Sequence, residues 1–173
     1  SKNMRRYTYG VKNDVDFKAS FVSADPYLTI RFGENEEFLI KSQLIGKYNF
    51  ENILAAACIG RYFKIPDQHI INAIQNYIPQ NNRSQIIQKG TSNIILDAYN
   101  ANPSSMNAAI DSFKEIKAQN KAIILGDMFE LGEFEESEHT KIIEKLIDFK
   151  KIENNTQLFI AGKAFYNSVR KFN

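Results

Sequence analysis

A single cysteine among 173 residues excludes an internal disulfide. Cys58 sits in the apolar stretch Ile53-Leu54-Ala55-Ala56-Ala57-Cys58-Ile59, where it reads as a small core residue, and a reducing, cytoplasmic setting is expected. No apolar run approaches the ~20 residues needed to span a bilayer. No apolar signal region follows Ser1-Lys2-Asn3-Met4-Arg5-Arg6, so no membrane partner is expected. Charge of one sign is also lacking. The net +2 comes from 22 Lys and Arg scattered among 20 Asp and Glu, without the clustered basic face of a nucleic-acid binder. Two phosphate-binding signatures are absent. There is no Gly-x-Gly-x-x-Gly after a strand and no Gly-x-x-x-x-Gly-Lys-Ser/Thr, which removes support for a nicotinamide fold and for a self-sufficient P-loop enzyme. No His/Cys/Asp grouping has zinc-site spacing, and no nucleophile elbow or Cys/His signature appears. No metal ligand or catalytic residue is therefore assigned.

What is present is an ordinary globular composition, 43% hydrophobic and 24% charged, long enough for one domain or two small ones. The first part alternates like short strands, Arg6 to Tyr9, Phe17 to Val22, Tyr27 to Phe32 and Glu37 to Ile40. Gly10, Asp25-Pro26 and Gly33-Glu34-Asn35 punctuate them, which predicts an antiparallel meander. A helix is predicted from Asn49, with Phe50, Ile53, Leu54, Ala57, Cys58 and Tyr62 at helical spacing. Pro66 opens a second, striped by Ile70, Ala73, Ile74 and Tyr77. The polar stretch Pro79-Gln80-Asn81-Asn82 reads as a linker. Beyond it, strands at 93–97, 121–125 and 157–161 alternate with helices at 103–116 and 136–149 and a last helix from Ala164 toward Phe172. That alternation predicts βαβ crossovers and a mostly parallel, doubly wound sheet. The expected class is α/β, with mostly antiparallel strands plus helices over residues 1–80, then an incomplete Rossmann-like domain over 81–173. Three parallel strands make a thin sheet, so the chain is expected to be a piece of something longer.

Two strings follow buried-strand patterns, Asp97-Ala98-Tyr99-Asn100-Ala101-Asn102-Pro103-Ser104-Ser105-Met106 and Gly126-Asp127-Met128-Phe129-Glu130-Leu131-Gly132. Ligands of open parallel sheets collect beyond the carboxyl ends of the strands, so these loops are site candidates. Asp97, ending an apolar strand, is placed to accept from a ligand hydroxyl, a loop amide or a metal-bound water. Asn102 before Pro103 has its own explanation as a helix cap. Asp127 and Glu130 bring two carboxylates into one loop, or else Asp127 caps a turn that Gly132 ends.

A third candidate is Gly46-Lys47-Tyr48-Asn49-Phe50-Glu51-Asn52, at the mouth of the first long helix. Asn49 and Asn52 share its first turn, and carboxamides offer the paired donor and acceptor that suit a purine edge; plain capping by Asn49 is the alternative. Arg83 could reach a phosphate or cover a junction, while Lys41 and Lys47 read as solvated. His69 reads as surface or boundary. His139 follows the acidic run Glu135-Glu136-Ser137-Glu138, whose carboxylates would favour its charged form.

In this order, Gly46 to Ala57, Asn82-Arg83-Ser84, Asp97 to Met106, then Leu125 to Gly132 with His139 beyond, the chain resembles the Mur ligases. The resemblance spans the late central ATPase domain and most of the carboxy-terminal domain. Tyr99-Asn100-Ala101-Asn102-Pro103 and Gly126-Asp127-Met128 with Glu130-Leu131-Gly132 fit best the member that joins D-alanyl-D-alanine to UDP-N-acetylmuramoyl-tripeptide. The resemblance implies a cytoplasmic, monomeric, ATP- and Mg2+-dependent amide ligase of peptidoglycan synthesis, working through an acyl phosphate. It implies that Asn49 and Asn52 contact adenine, Arg83 the phosphates or ribose, and Asp97 the ribose hydroxyls, with Tyr99, Asn100 and Asn102 facing the substrate cleft. Tyr48 stands where the family often has His, and Leu96 where a second Asp often precedes. The family's phosphate loop, modified lysine, magnesium ligands, uridine-nucleotide domain and final Lys-Gly-Ser segment have no match, so the chain alone is expected to be inactive. Alternatives are a folylpolyglutamate synthetase, which shares the scaffold, or a non-catalytic interaction module.

Overall fold

The computed structural model describes residues 6–33, 37–80 and 82–172; the expected turn at Glu34-Asn35, linker residue Asn81 and the first five residues lie outside them. The chain forms two compact units, Ser1–Leu96 and Asp97–Asn173.

In the first unit, β2 (Phe17–Ala24), β3 (Tyr27–Phe32) and β4 (Phe38–Ile45) form the expected antiparallel meander. The short strand β1 (Tyr9–Gly10) differs from the expected pattern, because it pairs parallel to β2, Tyr9 opposite Phe17. The cause is a local clasp. Asp16 accepts from the Thr8 amide at 2.7 Å and the Thr8 hydroxyl at 2.8 Å, and the Phe17 amide donates to the Thr8 carbonyl at 2.9 Å. The loop between is thus folded back so that β2 starts beside β1 in the same direction.

Alternate residues of the strands, Phe17 and Ala19, then Leu28, Ile30 and Phe32, then Ile40, form one buried face. The helix α1 (Asn49–Tyr62) lays Phe50, Ile53, Leu54, Ala57 and Cys58 onto it, as its spacing predicts. Each large apolar side chain buried this way contributes about 1.5–3 kcal/mol. The helix α2 (Asp67–Asn76) buries Ile70 and Ile71, with Ile74 packed alongside. Ala73 and Tyr77, placed on its stripe by spacing, are exposed. The helix ends at Asn76, leaving Tyr77 extended, and the tight approach to α1 sets its rotation: a Cβ on Gly60 would stand 2.9 Å from Ile70. A bidentate pair between Arg61 and Asp67, at 2.8 and 2.7 Å, ties the two helices together.

The hairpin of β5 (Gln85–Lys89) and β6 (Ser92–Leu96) completes this unit. Here the structure corrects the sequence reading, which missed β5 and placed residues 93–97 in a parallel sheet. Gly90, at φ +60°, and Thr91 make a two-residue turn that sends β6 back antiparallel along β5, Lys89 opposite Ser92 and Gln85 opposite Leu96.

The second unit contains α3 (Pro103–Glu115), β7 (Lys121–Gly126), α4 (Glu135–Ile152), β8 (Thr156–Ala161) and α5 (Lys163–Val169). The strands β7 and β8 pair in parallel, Ile123 opposite Leu158, and α4 makes the crossover between them. A core of Met106, Ile110, Ile123, Met128, Ile142, Leu146, Phe149 and Phe165 forms on one side of this pair. On β7 the side chains alternate accordingly, Ile123 buried and Ile124 exposed. Among the described residues, no helix is long and apolar enough to cross a membrane.

Candidate functional site

The residues singled out by sequence fall into three groups. The first lies at the entrance to α1. Gly46, at φ +79°, makes a turn closed by Asn49 N–H to the Gly46 carbonyl at 3.1 Å and Phe50 N–H to the Lys47 carbonyl at 3.0 Å. The preceding residue, Tyr48, gives no side-chain cap to the helix. Asn49 does not cap either. It is buried, its Nδ2 donates to the Ile45 carbonyl at the end of β4 at 2.8 Å, and its Oδ1 accepts from Asn52 Nδ2 at 2.9 Å. The i, i+3 spacing on one helical turn makes that last bond possible. The amide sense of Asn52 is thereby set, because Oδ1 of Asn49 can only accept. Asn52 itself is exposed, and among the described residues nothing else engages its amide, leaving one acceptor oxygen and one N–H outward.

The same entrance reaches forward to residues 82–84. The Tyr48 hydroxyl and Ser84 Oγ are 2.5 Å apart, and Asn49 Nδ2 lies 3.5 Å from that Ser84 oxygen. Ser84 is 5% exposed and, like Asn82, holds a left-handed backbone, at φ +50° and +59°. Arg83 between them is exposed. A shallow hollow in this unit is lined by Asn76, Tyr77, Ile78, Gln80 and Arg83.

The second group follows β6. Asp97, Tyr99 and Asn100 are all exposed. Asn102 is the N-cap of α3: its Oδ1 accepts from the Ser105 amide and the Ser104 hydroxyl, each at 2.9 Å, while Ser105 Oγ accepts from the Asn102 amide at 3.1 Å. This reciprocal pair, with Pro103 in the first helical position, is the capping explanation that the residues themselves offered.

The third group is the loop after β7, and here the structure supplies what sequence could not. Asp127 caps no local turn. Its two carboxylate oxygens accept the amides of Ala164 and Phe165, each at 3.0 Å, at the start of α5. Gly162, at φ +121°, leads into that helix, and a Cβ there would collide with the Asp127 carboxylate. Next along the loop, the Met128 amide donates to His139 Nε2 at 3.0 Å. His139 Nδ1 faces the Glu135 carbonyl at 2.7 Å. A carbonyl only accepts, so Nδ1 is the donor in that contact, while Nε2 receives the Met128 amide. His139 is wholly buried and meets the Phe165 ring edge-on, centroids 4.6 Å apart. Main-chain groups meet both ring nitrogens, and Asp127 Oδ1 lies 3.8 Å from Nε2. His69, by contrast, is exposed. The Asp127–Gly162–His139–Phe165 cluster is a clip that sets the path of the loop. The only sequence signal for it is a glycine between the last strand and the last helix, too common to single out. Phe129 and Glu130 are exposed at its apex, Glu130 with a left-handed backbone at φ +64°.

Chemically, the first group offers a carboxamide edge and, at Arg83, an exposed guanidinium, and the second an exposed carboxylate, group types suited to hydrogen-bonding or pairing with polar ligands. Among the described residues, no group of three or more His, Cys, Asp or Glu is placed to hold a metal ion.

The chain is similar to known proteins. Residues 82–153 match the family described as Mur ligase, glutamate ligase domain. The chain is 34% identical over 137 residues to the UDP-N-acetylmuramoyl-tripeptide–D-alanyl-D-alanine ligase of Bacillus subtilis, an alignment covering 76% of this chain and 29% of that protein. It is 30% identical over 132 residues to the ligase of the same name from Treponema pallidum, covering 76% and 28%. The chain thus spans less than a third of the length of these curated relatives. Among solved structures, the D-alanyl-D-alanyl ligase of Acinetobacter baumannii superposes with a TM-score of 0.73 at 19% identity, over 90% of this chain and 37% of that one. A MurF ligase from Thermotoga maritima, described in complex with ADP, gives a TM-score of 0.66 at 18% identity, over 95% and 49%. At these identities the structural likeness speaks for the fold.

Proposed function

We propose, from its match to the Mur ligase family and its likeness to curated Mur ligases, that this chain carries nucleotide- and substrate-contacting parts of a cytoplasmic, ATP-dependent amide ligase of peptidoglycan synthesis. The observation that carries the reading is the carboxamide pair at the start of α1, where buried Asn49 holds exposed Asn52 in one amide sense. A fixed donor and acceptor side by side match the edge of adenine. Arg83 meets phosphate and Asp97 the ribose hydroxyls. Tyr99 and Asn100 face the substrates, a UDP-N-acetylmuramoyl-tripeptide and D-alanyl-D-alanine. Asn102 serves that loop as the cap that starts α3.

The reaction proposed is a carboxylate activation. A tripeptide carboxylate oxygen attacks the γ-phosphorus of ATP, and ADP leaves. The dipeptide amine then attacks the acyl carbon, inorganic phosphate leaves, and the nitrogen loses a proton as the amide forms. Phosphorylation is required because a bare carboxylate has no competent leaving group. Arg83 offsets charge on the phosphates; among the described residues no group of three or more His, Cys, Asp or Glu is placed to hold a magnesium ion. The chain spans less than a third of those relatives' length, and the expected outcome for the chain by itself is nucleotide binding without turnover.

Titration calorimetry of ADP into the 173-residue chain tests this. A saturable isotherm with Kd of about 1 mM, equivalent to about −4 kcal/mol, is expected, weakened severalfold by Asn52→Ala and by Asp97→Ala. No binding by the intact chain overturns the nucleotide reading. Phosphate release by the chain with ATP, tripeptide and dipeptide overturns its inactivity alone.

A further inference from the structure

We propose that Tyr48 and Ser84 are positioning residues that latch the Arg83 segment to the start of α1, so that contacts to the base and to the phosphates are set by one hydrogen-bonded unit. This rests on the nucleotide reading above and adds to it which side chains touch the ligand and which only hold those that do.

The polar groups at this entrance divide cleanly by burial. Asn49 directs its amide inside the protein, onto the Ile45 carbonyl and Asn52, so it orients Asn52. Ser84, 5% exposed, is the hub on the other side, with Tyr48 Oη at 2.5 Å and Asn49 Nδ2 at 3.5 Å from its hydroxyl. Its backbone is left-handed at φ +50°, a conformation a serine holds only where its surroundings impose it. Arg83 immediately precedes it and is exposed. The direction in which the guanidinium leaves the chain therefore depends on the peptide that the Tyr48–Ser84 bond fixes. Tyrosine suits the task because the ring carries its hydroxyl well beyond the reach of a smaller residue.

The probes are ADP and adenosine, titrated into the intact chain and its variants. Tyr48→Phe removes only the hydroxyl. Loss of one hydrogen bond's worth of positioning predicts about a fivefold weaker affinity for ADP, with adenosine unchanged, because the Asn49–Asn52 pair stays in place. Ser84→Gly retains the left-handed backbone while deleting the hydroxyl, and it is expected to show the same split. Tyr48→Phe combined with Arg83→Ala is expected to be no weaker for ADP than Arg83→Ala alone, whereas Asn49→Ala lowers both probes. A general loosening of the fold would lower both ligands together and would not vanish in the Arg83→Ala background. Unchanged ADP affinity in both Tyr48→Phe and Ser84→Gly, or equal losses for ADP and adenosine, overturns the latch while leaving the nucleotide reading standing. If the unaltered chain binds neither probe, both fall together.

Discussion

Replacing Asp127 with alanine isolates the clip after β7. The wild-type side chain is 13% exposed and accepts two main-chain amides at 3.0 Å each. Loss of a helix-capping side chain costs about 0.5–2 kcal/mol, and bonds to a charged acceptor lie at the strong end, so about 2 kcal/mol is expected here. In a unit the size of Asp97–Asn173, that loss lowers its melting midpoint by roughly 8–16 °C. Gly162→Ala attacks the same contact from the other side, since the new Cβ displaces the carboxylate and φ +121° is strained for any side chain. Its cost should equal or exceed that of Asp127→Ala. The double variant should cost less than the sum, because without the carboxylate the collision disappears and only backbone strain of about 1–3 kcal/mol remains. Thermal unfolding followed by circular dichroism gives the energies, and amide exchange at Ala164 and Phe165 reports the bonds directly. Unchanged exchange at those two amides in Asp127→Ala, or strictly additive losses in the double variant, would refute the reasoning.

His139→Leu retains bulk but leaves the Met128 amide without its acceptor, and a loss of about 1–3 kcal/mol in urea unfolding is expected; an unchanged midpoint would show that the ring is dispensable. Burial, and after it the charge of Asp16, raises the Cys58 thiol above its ordinary value. Alkylation by iodoacetamide at about pH 8 should accordingly be slow in the native chain and fast in concentrated guanidinium, and equal rates would contradict the packing. The Asp111 carboxyl would be raised by its partial burial, but the hydrogen bond and charge of Lys145, with Lys114, outweigh this and hold it below the usual range. A depressed folded value means the stabilisation is present above the unfolded value of about 3.9 and is lost as pH falls through the folded one. Asp111 is 59% exposed, so screening limits the effect to about 0.2–1 kcal/mol. The stability gap between wild type and Asp111→Asn should shrink between about pH 6 and pH 2, whereas a constant gap would remove Asp111 from the pH response.

Much of the candidate site was legible because its signals are local. Asn102-Pro103 announces a helix start, and the i, i+3 relation of Asn49 and Asn52 puts their amides on one turn. The sense of that pair was not legible, because it depends on the Ile45 carbonyl, exposed only once β4 ends against α1. Nothing local reveals the role of Ser84, whose hydroxyl partner Tyr48 lies 36 positions earlier. Asp127 read as one of two loop carboxylates because its amide partners lie 37 and 38 residues downstream.

By itself the sequence determined the alternation of elements, the buried stripe of α1, the cap of α3 and the order of motifs that marks the family. These depend on spacings of a few residues, which periodicity and capping chemistry make readable. Only the tertiary structure decided that β1 runs parallel to β2, that α2 buries Ile71 rather than Ala73, and that Asp127 and His139 clip the loop after β7. In each case the choice is between partners that local propensity leaves equivalent. It is made by a distant group, a carboxylate clasp, a close helix approach or a main-chain amide, whose position exists only after the chain has folded.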